Sequence, residues 1–220
     1  MLKINNLSAG YKKNDFIIKK INLEIGAGET LLIVGKNGTG KSTLAKAIIN
    51  NLPYMEGEIL FNYKILFNNT KKINIETHNI INTGIGYFLQ GGRVFPQLTV
   101  KENIFIAGNK KNFINSNYYH TFKNEFSFLL ENWHEKATYL SLGQKHLLAF
   151  AMVLLKEPGF LILDEPTAGL DDKNVDIVTS IITKLKNDDD LSILLIEHRT
   201  EEIKSLADRR VEIDGGEIKI

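Results

Sequence analysis

The sequence predicts an α/β fold built on a mostly parallel sheet. Three continuous apolar runs, at residues 29–34, 160–163 and 191–196, are typical of strands that are buried on both faces. Helical spacing of apolar residues follows them, most clearly at 173–186 and 201–207. Because strands and helices alternate along the chain, we expect the strands to lie parallel in one sheet.

The N-terminal third combines short strands with the first helix. Residues 2–7 and 16–25 read as strands around a polar turn at 12–15. The apolar run at 29–34 leads into a glycine-rich loop, and helical spacing continues over 42–51 until Pro53 ends it.

The middle of the chain is predicted to be mostly helical. Two further strands are expected at 57–61 and 85–89, and no element is assigned between them at 62–82. Residues 99–133 have a mostly helical pattern, and 140–156 is a stronger helix candidate.

Composition excludes several classes of protein. The 220 residues carry 27 basic and 26 acidic side chains, a net charge of +1, which argues against a nucleic-acid-binding surface. There is no cysteine, and the N-terminus lacks the apolar core of a signal peptide. No run approaches the roughly 18 apolar residues that span a bilayer. We therefore expect a soluble chain whose membrane role, if it has one, depends on a partner.

Residues 35–42 match the phosphate-binding pattern G-x-x-x-x-G-K-[ST] at each fixed position. A buried strand precedes them and a helix follows, so the alternative of an ordinary glycine-rich turn is disfavoured. In such a loop, backbone N–H groups surround phosphates, a lysine reaches the β- and γ-phosphates and a hydroxyl contacts Mg²⁺. The predicted nucleotide-binding residues here are Gly35, Asn37, Gly38, Thr39, Gly40, Lys41, Ser42 and Thr43.

Two carboxylates end the strand at 160–163. Because parallel strands end at one edge of a sheet, Asp164 and Glu165 are expected beside the phosphate loop. Asp164 would hold Mg²⁺ through water, and Glu165 would orient or deprotonate the attacking water. The alternative is an acidic pair that caps a helix, since Pro166 follows. His198 comes directly after the next strand, where it could hydrogen-bond the γ-phosphate.

These motifs together resemble the nucleotide-binding subunit of ATP-binding cassette (ABC) transporters. Gln90 ends a strand where that family has its Q-loop, residues 140–144 (LSLGQ) are similar to its LSGGQ signature, and residues 168–171 resemble its D-loop. His198 corresponds to its switch histidine. Tyr11 falls where the family stacks an aromatic ring on adenine; the alternative is an exposed tyrosine in a turn.

The resemblance implies a P-loop NTPase core with a mostly parallel sheet, an N-terminal antiparallel β subdomain and an inserted α-helical subdomain. Residues 1–90 and 159–220 would form the core with the β subdomain, and residues 91–158 the helical signature subdomain.

The resemblance also implies that two such chains, in a homodimer or a heterodimer, enclose ATP head to tail. Ser141, Gly143 and Gln144 would act in trans on ATP held by the other subunit, while Glu165 and His198 complete the catalytic site. Ser42, Gln90 and Asp164 would form the metal site. The implied partners are transmembrane permease subunits, not nucleic acid, which places the chain in the cytoplasm on the inner face of the cell membrane.

Two details bear on the subtype. Leu142 replaces the first glycine of the signature, which raises the question of backbone strain there, but Ser141 and Gly143 are retained, so the half-site is predicted to be active. Residues 91–103 (GGRVFPQLTVKEN) are similar to a stretch of branched-chain amino-acid importer ATPases.

Three other functions were weighed. A P-loop kinase would need several lid arginines, whereas the helical segment holds only Arg93. An ABC ATPase without a transport role usually carries tandem cassettes, coiled-coil insertions or metal sites. A catalytically silent cassette is disfavoured by the presence of Lys41, Asp164, Glu165 and His198.

Overall fold

The computed structural model describes residues 1–108, 115–197 and 205–219. Its strands form two sheets. The five-stranded sheet, in the order β2-β1-β4-β5-β6, consists of β1 Leu2–Gly10, β2 Ile18–Ile25, β4 Tyr54–Phe61, β5 Lys64–Asn68 and β6 Ile73–Asn74. The six-stranded sheet, in the order β11-β10-β3-β9-β8-β7, consists of β3 Thr30–Val34, β7 Ile85–Phe88, β8 Phe160–Asp164, β9 Ser192–Ile196, β10 Arg209–Asp214 and β11 Glu217–Lys219.

The six-stranded sheet is parallel except at one edge. β10, β3, β9, β8 and β7 pair in parallel, and only β11 runs antiparallel, against β10. The strands of the other sheet all pair antiparallel. The predicted fold class, a mostly parallel core with an N-terminal antiparallel sheet, is confirmed.

The central strands bury side chains on both faces, which explains their continuous apolar sequences. In β3, Leu32 and Val34 belong to one hydrophobic core, while Leu31 and Ile33 belong to the other. The first core contains the helices of the middle of the chain. The second contains the helix that follows β3 and the antiparallel sheet.

Eight helical segments connect these strands in the described residues: α1 Lys41–Ile48, α2 Thr77–Ile81, α3 Val100–Ala107, α4 Asn117–Thr121, α5 Lys123–Glu131, a 3₁₀ turn Ala137–Tyr139, α6 Leu142–Leu154 and α7 Asp172–Lys186. The predicted helices at 42–51, 140–156 and 173–186 are confirmed with slightly different ends. The helical pattern at 99–133 is divided among α3, α4 and α5. The helix predicted over 201–207 falls mostly on residues outside the described ranges.

The segment at 62–82, which had no predicted element, contains β5, β6 and α2. β5 forms because it pairs with β4, where Ile59 lies opposite Phe67. This is a tertiary contact that local residue preferences do not encode. Within the described ranges, no helix combines the length and the apolar character required to cross a bilayer.

Candidate functional site

The phosphate loop connects β3 to α1 and has an unusual backbone. Gly35, Gly38 and Gly40 have φ angles of +152°, +80° and +108°, a region that favours glycine. At Gly40 there is also no room for a side chain, since a Cβ atom would lie 2.6 Å from Ile18 Cγ2. The glycines of the motif are therefore required by the backbone of this loop as well as by its proposed ligand.

Lys41 is the first residue of α1 and is only 4% exposed. Its ammonium group donates hydrogen bonds to the carbonyl oxygens of Gly35 and Lys36, both at 2.9 Å. Burial lowers the pKa of Lys41, and the nearby Glu165 and Asp164 carboxylates oppose that effect. The charged group thus points into its own loop, where phosphate oxygens could replace the two carbonyls.

Asp164 ends β8 and lies next to the loop, as predicted. Ser42 Oγ donates to Asp164 Oδ1 at 3.0 Å, and Tyr87 Oη donates to Asp164 Oδ2 at 3.1 Å. Burial raises the pKa of Asp164, while these two hydrogen bonds lower it. Burial and the adjacent carboxylate also raise the pKa of Tyr87, so its hydroxyl remains a donor.

Ser42 and Asp164 supply hydroxyl and carboxylate oxygens, which fit Mg²⁺ when water and phosphate complete its shell. The described residues contain no group of three or more histidine, cysteine or acidic side chains that could hold a metal without a ligand's help. These two observations agree with a cation that arrives with a nucleotide.

Glu165 occupies a strained turn immediately after β8. Its φ is +50°, and its N–H donates to the carbonyl of Ile196 at 2.9 Å. Gln90 Nε2 donates to Glu165 Oε2 at 2.5 Å. The structure therefore brings the predicted Gln90 and Glu165 together, and both line an open cavity of about 370 Å³ with the phosphate loop. Asn37, Thr43 and the apolar Ile17 line the same cavity.

Tyr11 is 46% exposed and contacts α1. Lys46 Nζ donates to Tyr11 Oη at 3.0 Å and lies 5.4 Å from the centre of its ring. The ring is thus held beside the helix that follows the phosphate loop. Its stacking on adenine stays a prediction.

The signature residues form the start of α6. Ser141 is the N-cap: its side chain accepts from Gln144 N at 3.2 Å, and Gln144 Oε1 accepts from Ser141 N at 2.9 Å. Leu142 is helical and 49% exposed, and it is not among the described residues with positive φ. The backbone at Leu142 is therefore not strained, because its helical conformation is one that any L-amino acid can adopt.

The positions of several other residues bear on their roles. His198 lies outside the described residues. Trp133, Phe122 and Phe126 are buried in the first core, with Phe128 partly buried against it, as a packing role requires. His146 is fully buried against Phe88, 5.9 Å between ring centres.

Sequence reasoning missed Tyr87 and Ile17. Tyr87 lies on β7 opposite Ile162 of β8, so its ring reaches the Asp164 end of the neighbouring strand. The only sequence signal was its position three residues before Gln90, on a strand predicted to end at the same edge of the sheet.

Comparisons with known proteins agree with this geometry. A family model described as ABC transporter matches residues 18–168. The chain is 29% identical to the phosphonates import ATP-binding protein PhnC 2 of Oceanobacillus iheyensis, covering 99% of this chain and 88% of that protein. It is 28% identical to the high-affinity branched-chain amino acid transport ATP-binding protein BraG of Pseudomonas aeruginosa, covering 99% and 91%. The latter agrees with the resemblance to branched-chain amino-acid importer ATPases.

Among solved structures, the chain is similar to cbiO1 from Clostridium perfringens, described as part of the ABC transporter complex cbiONQ. The TM-score is 0.79 at 28% identity, covering all of this chain and 86% of that one.

Proposed function

This chain belongs to the ABC transporter family as an ATP-binding, ATP-hydrolysing subunit, and we propose that it hydrolyses Mg²⁺-ATP between two cassettes to drive transport through membrane subunits. One observation carries the proposal: the same cavity is lined by Lys41, Ser42, Gln90 and Glu165. A phosphate-binding lysine, a metal-binding hydroxyl and a carboxylate that could act as a base meet there.

Each residue of this cavity has a proposed role. Lys41 exchanges its carbonyl partners for the β- and γ-phosphate oxygens, and the backbone N–H groups of the loop surround the phosphates. Ser42 and Asp164 would hold the Mg²⁺ ion, which would supply positive charge against the phosphate oxygens. Glu165 accepts a proton from the attacking water, after Gln90 releases its carboxylate.

We further propose that the site is completed by a second copy or a sister cassette. The cavity is open, and Ser141 and Gly143 of the signature, at the start of α6, are not among the residues that line it. In the proposed dimer these residues contact the γ-phosphate that is held by the other subunit.

The partner proposal extends to membrane subunits and to the helical segment at 91–158. The relatives named above are import ATP-binding proteins and transport ATP-binding proteins, and such subunits act with permeases. We propose that the chain sits on the cytoplasmic face of the membrane through such permeases, with residues 91–158 as the subdomain that contacts them.

The test compares wild type with Glu165→Gln. We expect ATP hydrolysis to fall by at least about a hundredfold, the scale for loss of a general base. With ATP and Mg²⁺, the variant should accumulate as a dimer in sedimentation experiments because hydrolysis no longer separates the subunits. The matched control is Glu131→Gln, at an exposed glutamate that ends α5. A Glu165→Gln variant that remains monomeric with ATP and hydrolyses it at the wild-type rate would contradict the proposal.

A further inference from the structure

The first turn of α6 lies directly against the first turn of α7. The contact joins Gly143 of the signature to Asn174, which is half-buried. A Cβ atom on Gly143 would lie 2.2 Å from Asn174 Oδ1 and 2.5 Å from Asn174 Nδ2. The amide therefore covers the Gly143 Cα, and no larger residue fits at 143 while Asn174 holds this position.

Asn174 is fixed in that position from its other side. Its Nδ2 group donates to Asp171 Oδ2 at 2.8 Å, and its backbone N–H donates to Asp171 Oδ1 at 3.0 Å. Asp171 is the N-cap of α7 and the last residue of the 168–171 loop. The same two bonds lower the pKa of Asp171, so the acceptor is a carboxylate at neutral pH.

Leu142, the first residue of α6, lies near the 168–171 loop. Its Cδ2 is 3.8 Å from the position that a Cβ on Gly169 would take. The signature turn and the 168–171 loop are therefore neighbours at this point as well.

We propose that Asn174 is a positioning residue that fixes the signature turn, residues 141–144, against the 168–171 loop, so that both meet a second cassette as one rigid unit. The inference rests on the proposed function, in which the signature turn acts on ATP held by another subunit. In this proposal Asn174 acts through Gly143 and Asp171, and it does not line the phosphate-loop cavity of its own chain.

Two substitutions separate packing from hydrogen bonding. Asn174→Ala removes the amide from both Gly143 and Asp171. Asn174→Asp keeps the shape of the side chain but replaces the donor with a carboxylate that repels Asp171. An acidic residue in the first turn of a helix is favourable for the helix alone. A merely structural role therefore predicts that Asn174→Asp is tolerated.

The experiment places each substitution in the Glu165→Gln chain and measures the ATP-dependent dimer by sedimentation. The control is Asp176→Ala, an exposed position two residues further along α7. We expect the dimer dissociation constant to rise about tenfold for both Asn174 variants, equivalent to about 1.4 kcal/mol, and to be unchanged for the control. Binding of a fluorescent ATP analogue to dilute monomer should stay the same in every variant.

The outcomes are distinguishable. If the Glu165→Gln parent never dimerises with ATP, the proposed function fails and the inference fails with it. If the parent dimerises and both Asn174 variants dimerise as tightly as the control, the inference alone is overturned. It is also overturned if the Asn174 variants lose ATP binding as monomers, since that result indicates damage to the whole cassette.

Discussion

The Asp164 carboxylate lies buried between the hydroxyl groups of Ser42 and Tyr87. Burial raises the pKa of Asp164, while the two hydrogen bonds and the positive charge of Lys46 stabilise its ionised form. A bound divalent cation reverses that balance because it favours the carboxylate form. The affinity of the proposed site for a metal-bound nucleotide should therefore depend on whether Asp164 is ionised.

Asp164→Asn tests whether metal-nucleotide binding depends on the charge of this side chain. The amide keeps the size of the side chain but not its charge. We expect the Mg²⁺ concentration for half-maximal ATPase activity to rise about 10–100-fold, the range for outer-shell partners of a metal. The control is Asp176→Asn on the surface of α7. An unchanged Mg²⁺ dependence would place the cation elsewhere.

His146 provides a pH-dependent prediction. Its ring is fully buried, its Nδ1 lies 3.2 Å from the carbonyl of Leu142, and its Nε2 finds no hydrogen-bond partner among the residues that the structure describes. Burial lowers the pKa of His146 below the value of an unfolded chain. The unfolded state therefore takes up the proton first, and stability that is complete above about pH 6.5 decreases as the pH falls below that value.

The measurement is the melting temperature of wild type and His146→Leu between pH 8 and pH 5. The wild type should lose more stability than the variant over this interval, by about 1.4 kcal/mol for each unit that separates the folded and unfolded pKa. If the melting temperatures of the two proteins fall in parallel as the pH decreases, another group is responsible for the loss of stability at low pH.

At the level of elements, the chain contains two helices with the same N-terminal arrangement. Ser141 and Gln144 form a capping box on α6, and Thr99 and Glu102 form one on α3. Only the first lies in the signature turn. Comparing substitutions in these two capping boxes therefore separates the effect of a cap on stability from its effect on catalysis.

Ser141→Ala and Thr99→Ala should each lower the free energy of unfolding by about 1 kcal/mol, because each removes one cap acceptor. ATP turnover should fall only for Ser141→Ala, since its hydroxyl is the one proposed to contact ATP in trans. Denaturant unfolding and a steady-state ATPase assay check the two parts. Equal turnover in both variants would indicate that Ser141 is a cap and nothing more.

On the scale of the whole molecule, nucleotide binding should stabilise the fold by mass action. At an ATP concentration of about 100 times the dissociation constant, the gain is about 2.7 kcal/mol. For a chain of this length that corresponds to a rise in melting temperature of roughly 5–10 °C. Lys41→Met should abolish the rise, because it removes the buried ammonium group of the phosphate loop. A rise of the same size in that variant would show that ATP binds at another site.

The parallel core and the position of the phosphate loop beside Asp164 could be predicted because each has a local signal. The strands β3, β8 and β9 are apolar throughout since both of their faces are buried, and the phosphate loop has a fixed spacing. By contrast, β5 depends on its pairing with β4 and β6. Tyr87 and Asn174 reach their contacts through strand register and helix packing, which a single sequence does not reveal.

Successive side chains of β3 face different hydrophobic cores, so the amide hydrogens of this strand are shielded from solvent on both faces of the sheet. Leu31 and Leu32 face opposite hydrophobic layers, and the strand pairs with β9 on one side and β10 on the other. These amides can exchange with solvent deuterium only when both layers open together. The phosphate loop begins at Gly35, directly after the strand, and its residues belong to neither hydrophobic core. We therefore expect slow exchange within β3 and faster exchange from Gly35 onwards, an arrangement in which the phosphate loop can rearrange around a ligand while its attachment to the strand stays fixed.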